Sequence, residues 1–331
     1  MRRREFIAGL GATAAVTAWP SAVRAQPAMP VVGYLYSGSL ATPPISTEYL
    51  PAFRSGLKKS GYIEKQNVKF EYRLAEGQFE RLAAMAADLV RRQVNVIVAP
   101  GEPATRSAKA ATSTIPIVFT IGGDPVLSGL VASLNRPGGN ATGIFQLAEE
   151  LIAKQMQLLH ETMPAAGTIA VLYNPAYVDT ERKLIAVQAA ANVLGLKIHA
   201  LPAGNDRELE SAFASLVELR IGALLNLGDI GFLTSRGDRI LALAARHSVP
   251  TMHNRRSLVL AGGLMSYDTP LVEAYRIAGS YVGRILMGEK PAELPVQQST
   301  KAELIINLKT ARALGLDVPL SVRARADEVI E

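Results

Sequence analysis

The chain has no cysteine, one tryptophan in 331 residues, and only four histidines, at positions 160, 199, 247 and 253. Without thiols there is no disulfide framework, no thiolate metal site and no cysteine for lipid attachment. The scattered histidines form no i to i+4 pair that would seat a zinc ion, so no metal is expected. No second long apolar run follows Gln26, and a bilayer span needs ~20 such residues. Lysine and arginine form no dense block, which argues against a nucleic-acid partner. A Walker string, a G-x-S-x-G elbow and an H-E-x-x-H helix are all absent from Gln26 onward. Neither a catalytic residue nor a cofactor is therefore expected. Gly9-Leu10-Gly11-Ala12-Thr13-Ala14 fits a dinucleotide-binding string, but it follows no strand.

What is present starts at the N-terminus. Arg2-Arg3-Arg4 lead into Glu5-Phe6-Ile7, a small-residue apolar run reaches Ala18, and Val23-Arg24-Ala25 precede Gln26. A basic head, a short apolar middle and small residues before a cleavage point are what export machinery reads. Residues 1–25 are expected to be a signal peptide cleaved after Ala25, releasing the mature chain into the periplasm. Arg3-Arg4-Glu5-Phe6-Ile7 also resembles the twin-arginine signal, although Arg2 stands where serine or threonine is more usual. Removing this segment's four arginines and one glutamate lowers the formal net charge from +6 to +3. The remaining ~300 residues exceed what one hydrophobic core supports, so two lobes are expected.

From Pro30 onward β-branched runs alternate with helical periodicity, the pattern of parallel strands joined by crossover helices. Strands are expected at 31–36, 68–72, 96–99 and 117–121, with helices near 49–60, 79–90 and 103–111. Turn formers crowd Leu134 to Gly143, after which a second series begins: strands at 168–173, 198–201, 223–227 and 250–253, helices at 181–194, 207–218 and 236–247. A strand at 264–267, a helix at 271–287 and a late strand at 304–307 are left over. The expected fold class is α/β, with two doubly wound parallel-sheet lobes. One lobe takes residues 26–142 with 268–298, the other 143–267 with 299–331, the chain crossing between them three times.

Several strings carry a family resemblance. They are Val32-Gly33-Tyr34, Glu71-Tyr72-Arg73, Thr114-Ile115-Pro116-Ile117-Val118-Phe119, Asp124-Pro125-Val126, Arg136-Pro137-Gly138-Gly139-Asn140, Leu304-Ile305-Ile306-Asn307-Leu308-Lys309-Thr310-Ala311 and Ala324-Arg325-Ala326-Asp327-Glu328. With these the chain resembles the ABC transporter substrate-binding proteins of the tryptophan- and tyrosine-uptake type. The resemblance implies a type I periplasmic binding fold with a three-strand hinge. It also implies a small-molecule ligand between closing lobes, delivered to a permease with its ATPase, and only peripheral contact with the membrane complex. A monomer is expected. The reading from outside this class is a secreted enzyme using the same cleft; a third is a ligand sensor for a membrane receptor.

Open α/β sheets bind ligands beyond the carboxyl ends of their strands, where helix N-termini offer free backbone N–H groups. In the first lobe those loops hold Tyr36, Ser37, Gly101, Glu102, Ala104, Thr105, Gly122, Gly123 and Asp124. In the second they hold Asn174, Tyr177, Asp229, His253, Asn254 and Arg255, with Tyr267 and Asp268 at a crossover. Each loop taken alone also reads as plain turn and cap chemistry, with Asp124 an N-cap. For an amino-acid ligand, backbone donors of Gly101 to Thr105 and Gly122 to Asp124 would hold the acidic group. Asp229 or Asp268, with Glu102 third, would accept from the ammonium. Tyr36, Tyr177 and Tyr267 are candidates to stack on the ligand. Arg255-Arg256 would bind an anion, dock a permease or stay solvated, the last being the plainest reading.

Overall fold

The computed structural model describes residues 29–41, 45–146, 148–177, 179–219, 221–228 and 230–331, and within these not the side chains of 148, 149 and 230–235. The expected signal segment and Asp229 lie outside the described residues.

Among the described residues thirteen strands form two sheets. The first contains β1 (Val31–Tyr36), β2 (Lys69–Leu74), β3 (Val96–Pro100), β4 (Ile117–Ile121), β5 (Ala141–Phe145) and β11 (Gln297–Gln298) in the order β11-β5-β4-β3-β1-β2, all parallel. The second contains β6 (Thr168–Tyr173), β7 (Lys197–Pro202), β8 (Ala223–Asn226), β9 (Thr251–His253), β10 (Met265–Asp268), β12 (Glu303–Asn307) and β13 (Glu328–Ile330), ordered β13-β12-β10-β9-β8-β6-β7. The first five strands of each series repeat one order, second-first-third-fourth-fifth, so the halves are built alike. The second sheet is not wholly parallel: β12 arrives from the last crossover and runs antiparallel to β10.

The described residues also form eleven α-helices that cover the sheets: α1 (Leu50–Lys59), α2 (Leu82–Arg91), α3 (Glu102–Ala111), α4 (Ala148–Thr162), α5 (Thr180–Leu194), α6 (Asp206–Glu218), α7 (Ile230–Arg246), α8 (Arg256–Leu260), α9 (Leu271–Leu286), α10 (Leu308–Ala313) and α11 (Leu320–Arg323). Because strand side chains alternate, each sheet carries an apolar layer on both faces. Val32, Tyr34 and Tyr36 of β1 pack with Phe53 of α1 and Tyr275 of α9, while Leu35 joins Leu89 and Phe119 on the other side. Ile169 and Val171 of β6 likewise face Leu159 and Met252, and Ala170 and Leu172 face Phe213 and Ile240.

The chain passes from one sheet to the other three times: after β5, after β10 at Thr269-Pro270, and between β11 and β12. The turn-rich segment ends in a strand, and the expected boundary after Thr142 falls inside it. Residues Ala141 to Phe145 all pair with β4, so the first sheet keeps the chain three residues longer. The returning helix α9 packs on α1, where glycines let the backbones nearly touch. A Cβ placed on Gly56 would lie 1.9 Å from the Arg276 carbonyl oxygen, and one on Gly279 1.9 Å from that of Phe53.

Candidate functional site

A cleft of about 690 Å³, counting its mouth open to solvent, separates the carboxyl edges of the two sheets. Gly101, Thr120, Ile121 and Gly122 line it at the ends of β3 and β4. Leu227, Gly228, Asn254, Arg255 and Asp268 line it at the ends of β8, β9 and β10. Strand ends from both sheets therefore face one space, as open α/β topology dictates.

Among the described residues the cleft's charges are Arg255, Asp268 and Lys183. Arg255 Nη1 lies 3.4 Å from Asp268 Oδ2, a long ion pair between side chains that keep 14% and 15% of their exposure. Burial pushes the Asp268 carboxyl up to about 6, against the opposing pull of Arg255, a backbone bond from Thr269 and the charge of Lys183. Arg255 also reaches the first lobe, where it lies against Tyr49, whose ring stacks on Tyr275 at 5.0 Å between centroids. Burial, with Asp268 and Glu48 nearby, takes the Tyr49 hydroxyl to about 12 although Arg255 opposes the shift. Lys183 Nζ sits 4.8 Å above the Tyr177 ring and 3.4 Å from the Leu227 carbonyl oxygen.

Three cleft-lining side chains carry buried oxygens without a hydrogen-bond partner: Gln155 Oε1, Asn254 Oδ1 and Thr120 Oγ1. Each amide is oriented by its nitrogen. Gln155 Nε2 donates to the Tyr267 carbonyl at 2.7 Å, and Asn254 Nδ2 to the Gly228 carbonyl at 3.2 Å. Buried acceptors left open are costly unless something supplies a donor. Apolar wall is provided by Ile121, Leu151, Ile152, Leu227 and Leu271.

Of the residues singled out from sequence, Gly101, Gly122, Tyr177, Asn254, Arg255 and Asp268 line the cleft. Gly101 adopts a φ of 86°, a conformation that admits the turn from β3 into α3. The other described residues of that set are occupied elsewhere. Asp124 accepts from the backbone N–H groups of Val126 and Leu127, the cap reading. Thr105 donates its hydroxyl to the Ala99 and Gly101 carbonyls, and Ala104 packs in the core. Asn174 Oδ1 closes a turn on the Ala176 N–H. Tyr36 lies fully buried within the first lobe's core, and Ser37 beside it is buried with its carbonyl accepting from Gly77. Gly123 faces Arg182, and Glu102 is enclosed beside Arg106. Tyr267 packs against the second lobe's core and offers the cleft only its carbonyl to Gln155.

His253 is also displaced from the expected role. Alternation along β9 sends Met252 to one face of the sheet and His253 to the other, where its ring lies against Gly263 and 3.4 Å from Asn226 Nδ2. Burial alone lowers its pKa to about 3. The unfolded chain thus binds the proton between about 6.5 and 3 and the native state does not. The resulting stability is complete above about pH 6.5 and is lost as pH falls toward about 3. At pH 4.5 the loss through His253 is expected to be about 2–3 kcal/mol relative to pH 7. Urea unfolding of the native protein and His253→Gln at both pH values checks this; equal acid losses in the two proteins would remove His253 as the cause.

The Arg255-Arg256 pair divides. Arg256 forms a surface ion pair with Glu328 at 2.7 Å, whereas Arg255 is no solvated side chain but the cleft's central cation. Sequence reasoning missed Gln146, Leu151, Ile152, Gln155 and Lys183. A glutamine set between Ile152, Met156 and Leu159 on the buried stripe of α4 was the signal for Gln155.

Among the described residues no group of three or more histidine or acidic side chains is placed to hold a metal, and no helix is long and apolar enough to cross a membrane. Comparison with known proteins agrees with this arrangement. The chain is 26% identical over 264 residues to a tyrosine-binding protein of Clostridioides difficile strain R20291, covering 80% of this chain and 75% of that one. It superposes with a TM-score of 0.81 on a conserved domain protein from Vibrio cholerae, 28% identical, over 91% of this chain and 99% of the other. An ABC domain in complex with L-Trp from Streptococcus pneumonia gives 0.79 at 25% identity, over 90% and 100%. A family model described as ABC transporter substrate binding protein matches residues 45–330, and by that match the chain belongs to the ABC transporter substrate-binding proteins.

Proposed function

We propose that the cleft captures an aromatic amino acid of the tyrosine or tryptophan kind, as a zwitterion, and hands it to an ABC permease from the periplasm without chemical change. The observation that carries this reading is the long Arg255–Asp268 pair set among open acceptors. A zwitterion inserted there exchanges one stretched ion pair for two matched ones, its carboxylate toward Arg255 and its ammonium toward Asp268, Gln155 Oε1 and Asn254 Oδ1. The apolar wall and the Tyr177 ring receive the side chain, in keeping with what the C. difficile and S. pneumonia relatives are named for. The protein acts as a monomer and is exported by its residues 1–25, by the twin-arginine route. In this reading the protein binds and releases its ligand unchanged; among the described residues the cleft brings together no nucleophile with a base and its orienter.

Thermal-shift and calorimetric titration with L-tyrosine, L-tryptophan and L-phenylalanine tests the reading. At a hundred times its dissociation constant the ligand should stabilise by about 2.7 kcal/mol. Asp268→Asn should weaken the amino acid by roughly ten- to a hundredfold while sparing the analogue without an amino group. A response to sugars or nucleobases with none to amino acids would sink the proposal.

A further inference from the structure

Outside the ligand-lining surface, one carboxylate is enclosed where the lobes meet. Glu102 opens α3, and its side chain retains no exposure. Arg106 Nη2, one turn along, lies 2.9 Å from Glu102 Oε1, yet neither carboxylate oxygen has a well-directed hydrogen bond. The other charges acting on it belong to the opposite lobe: Asp179 and Arg182, ion-paired at the start of α5. Arg182 crosses the gap, for a Cβ placed on Gly123 would lie 2.8 Å from its Nη2. This contact exists only while the lobes are together.

Enclosing a carboxylate without well-aimed donors disfavours its charged form. Desolvation first, and then Asp179, raise the Glu102 pKa, while Arg106 and Arg182 oppose the shift. Opening the lobes returns the group to water. We propose that Glu102, enclosed against Asp179 and Arg182 across the lobe boundary, is a positioning residue that sets the open–closed equilibrium of this protein. The inference rests on the closing-cleft reading but not on which ligand the cleft takes.

The closed state holds the Glu102 proton more tightly than the open one. Closure is therefore favoured at low pH and weakens as pH rises through the closed-state pKa, tenfold for each unit by which the two states differ. Asp268, also raised, works in the same direction, so the comparison with Glu102→Gln separates the two.

The cysteine-free chain allows two label sites without background, Glu80→Cys on the first lobe and Val193→Cys on the second, both exposed. Pulsed electron resonance on the ligand-free protein between pH 5 and 8.5 reads the interlobe distance. The parent should move toward the open distance as pH rises. Glu102→Gln should stay closed to higher pH, and Arg182→Gln, which removes the opposing cation from the other lobe, should open earlier. Once a ligand is known, Glu102→Gln should bind it more tightly than the parent at pH 8, with the difference shrinking toward pH 5. Distance distributions in both variants that track the parent at every pH would overturn the proposal. A pH-dependent distance with no amino-acid response would overturn the ligand reading and leave this one standing.

Discussion

Replacing Arg255 with methionine should destabilise the protein by about 3–5 kcal/mol near pH 8 and weaken ligand capture at least a hundredfold. The cause is what the substitution leaves behind. Asp268 keeps its burial and loses the cation that offsets it, so its carboxyl, already at about 6, rises further. For an acid whose native pKa exceeds its unfolded value, the native state binds the proton over the interval between them. Stability then falls as pH rises through that interval and recovers as pH drops below it. The variant should consequently be much closer to the parent at pH 5 than at pH 8, and adding Asp268→Asn should restore most of the loss. Urea unfolding of the three proteins at both pH values decides the matter. A loss independent of pH would mean that Arg255 matters for its packing against Tyr49 and not for its charge.

Gly279→Ala is expected to cost about 3 kcal/mol, and Gly56→Ala a similar amount, at the top of the range for adding one methyl to a packed interior. Most small-to-large changes are absorbed by a side chain that moves. Here the obstacle is backbone, a carbonyl oxygen 1.9 Å from the new carbon in each case, so α1 and α9 must separate along their length. Gly167→Ala is the control, with open space around its Cβ and no positive φ, and should cost under roughly 0.5 kcal/mol. Equal urea midpoints for Gly279→Ala and Gly167→Ala would show that the helices have room to part.

The strands with uninterrupted β-branched runs were legible from sequence almost to the residue, as at 117–121 and 168–173, because burial on both faces writes itself as continuous apolar sequence. Ala141–Phe145 was not, since its residues follow directly on Pro137 to Asn140 and include Gly143, so local turn chemistry masked a strand paired along its whole length. Helix α4 was expected only as a helix ending near His160, without bounds, because Lys154, Gln155 and Gln157 interrupt its stripe, and those polar positions serve the cleft side and the surface. The same difference governs the site. Sequence located the loops, since strand ends follow from strands, but not which side chain of each loop turns inward. His253 and Arg255 stand two residues apart, and one is sealed in the core while the other spans the cleft. Asp124 and Thr105 have the chemistry of ligand groups and are spent on their own backbones.

The pairing of α1 with α9 fixes an order of assembly. The first lobe's core needs Tyr275 and Val282 from a helix more than 200 residues after α1, and its edge strand β11 comes later still. The five strands β6 to β10, in contrast, are contiguous in the chain. Contacts that are close in sequence form before distant ones, because less loop entropy must be lost to make them. The lobe that leaves the ribosome first therefore waits as an unclosed sheet until β6 to β10 have been made, and the second lobe in turn is completed only by β12 and β13, which follow β11 in the chain.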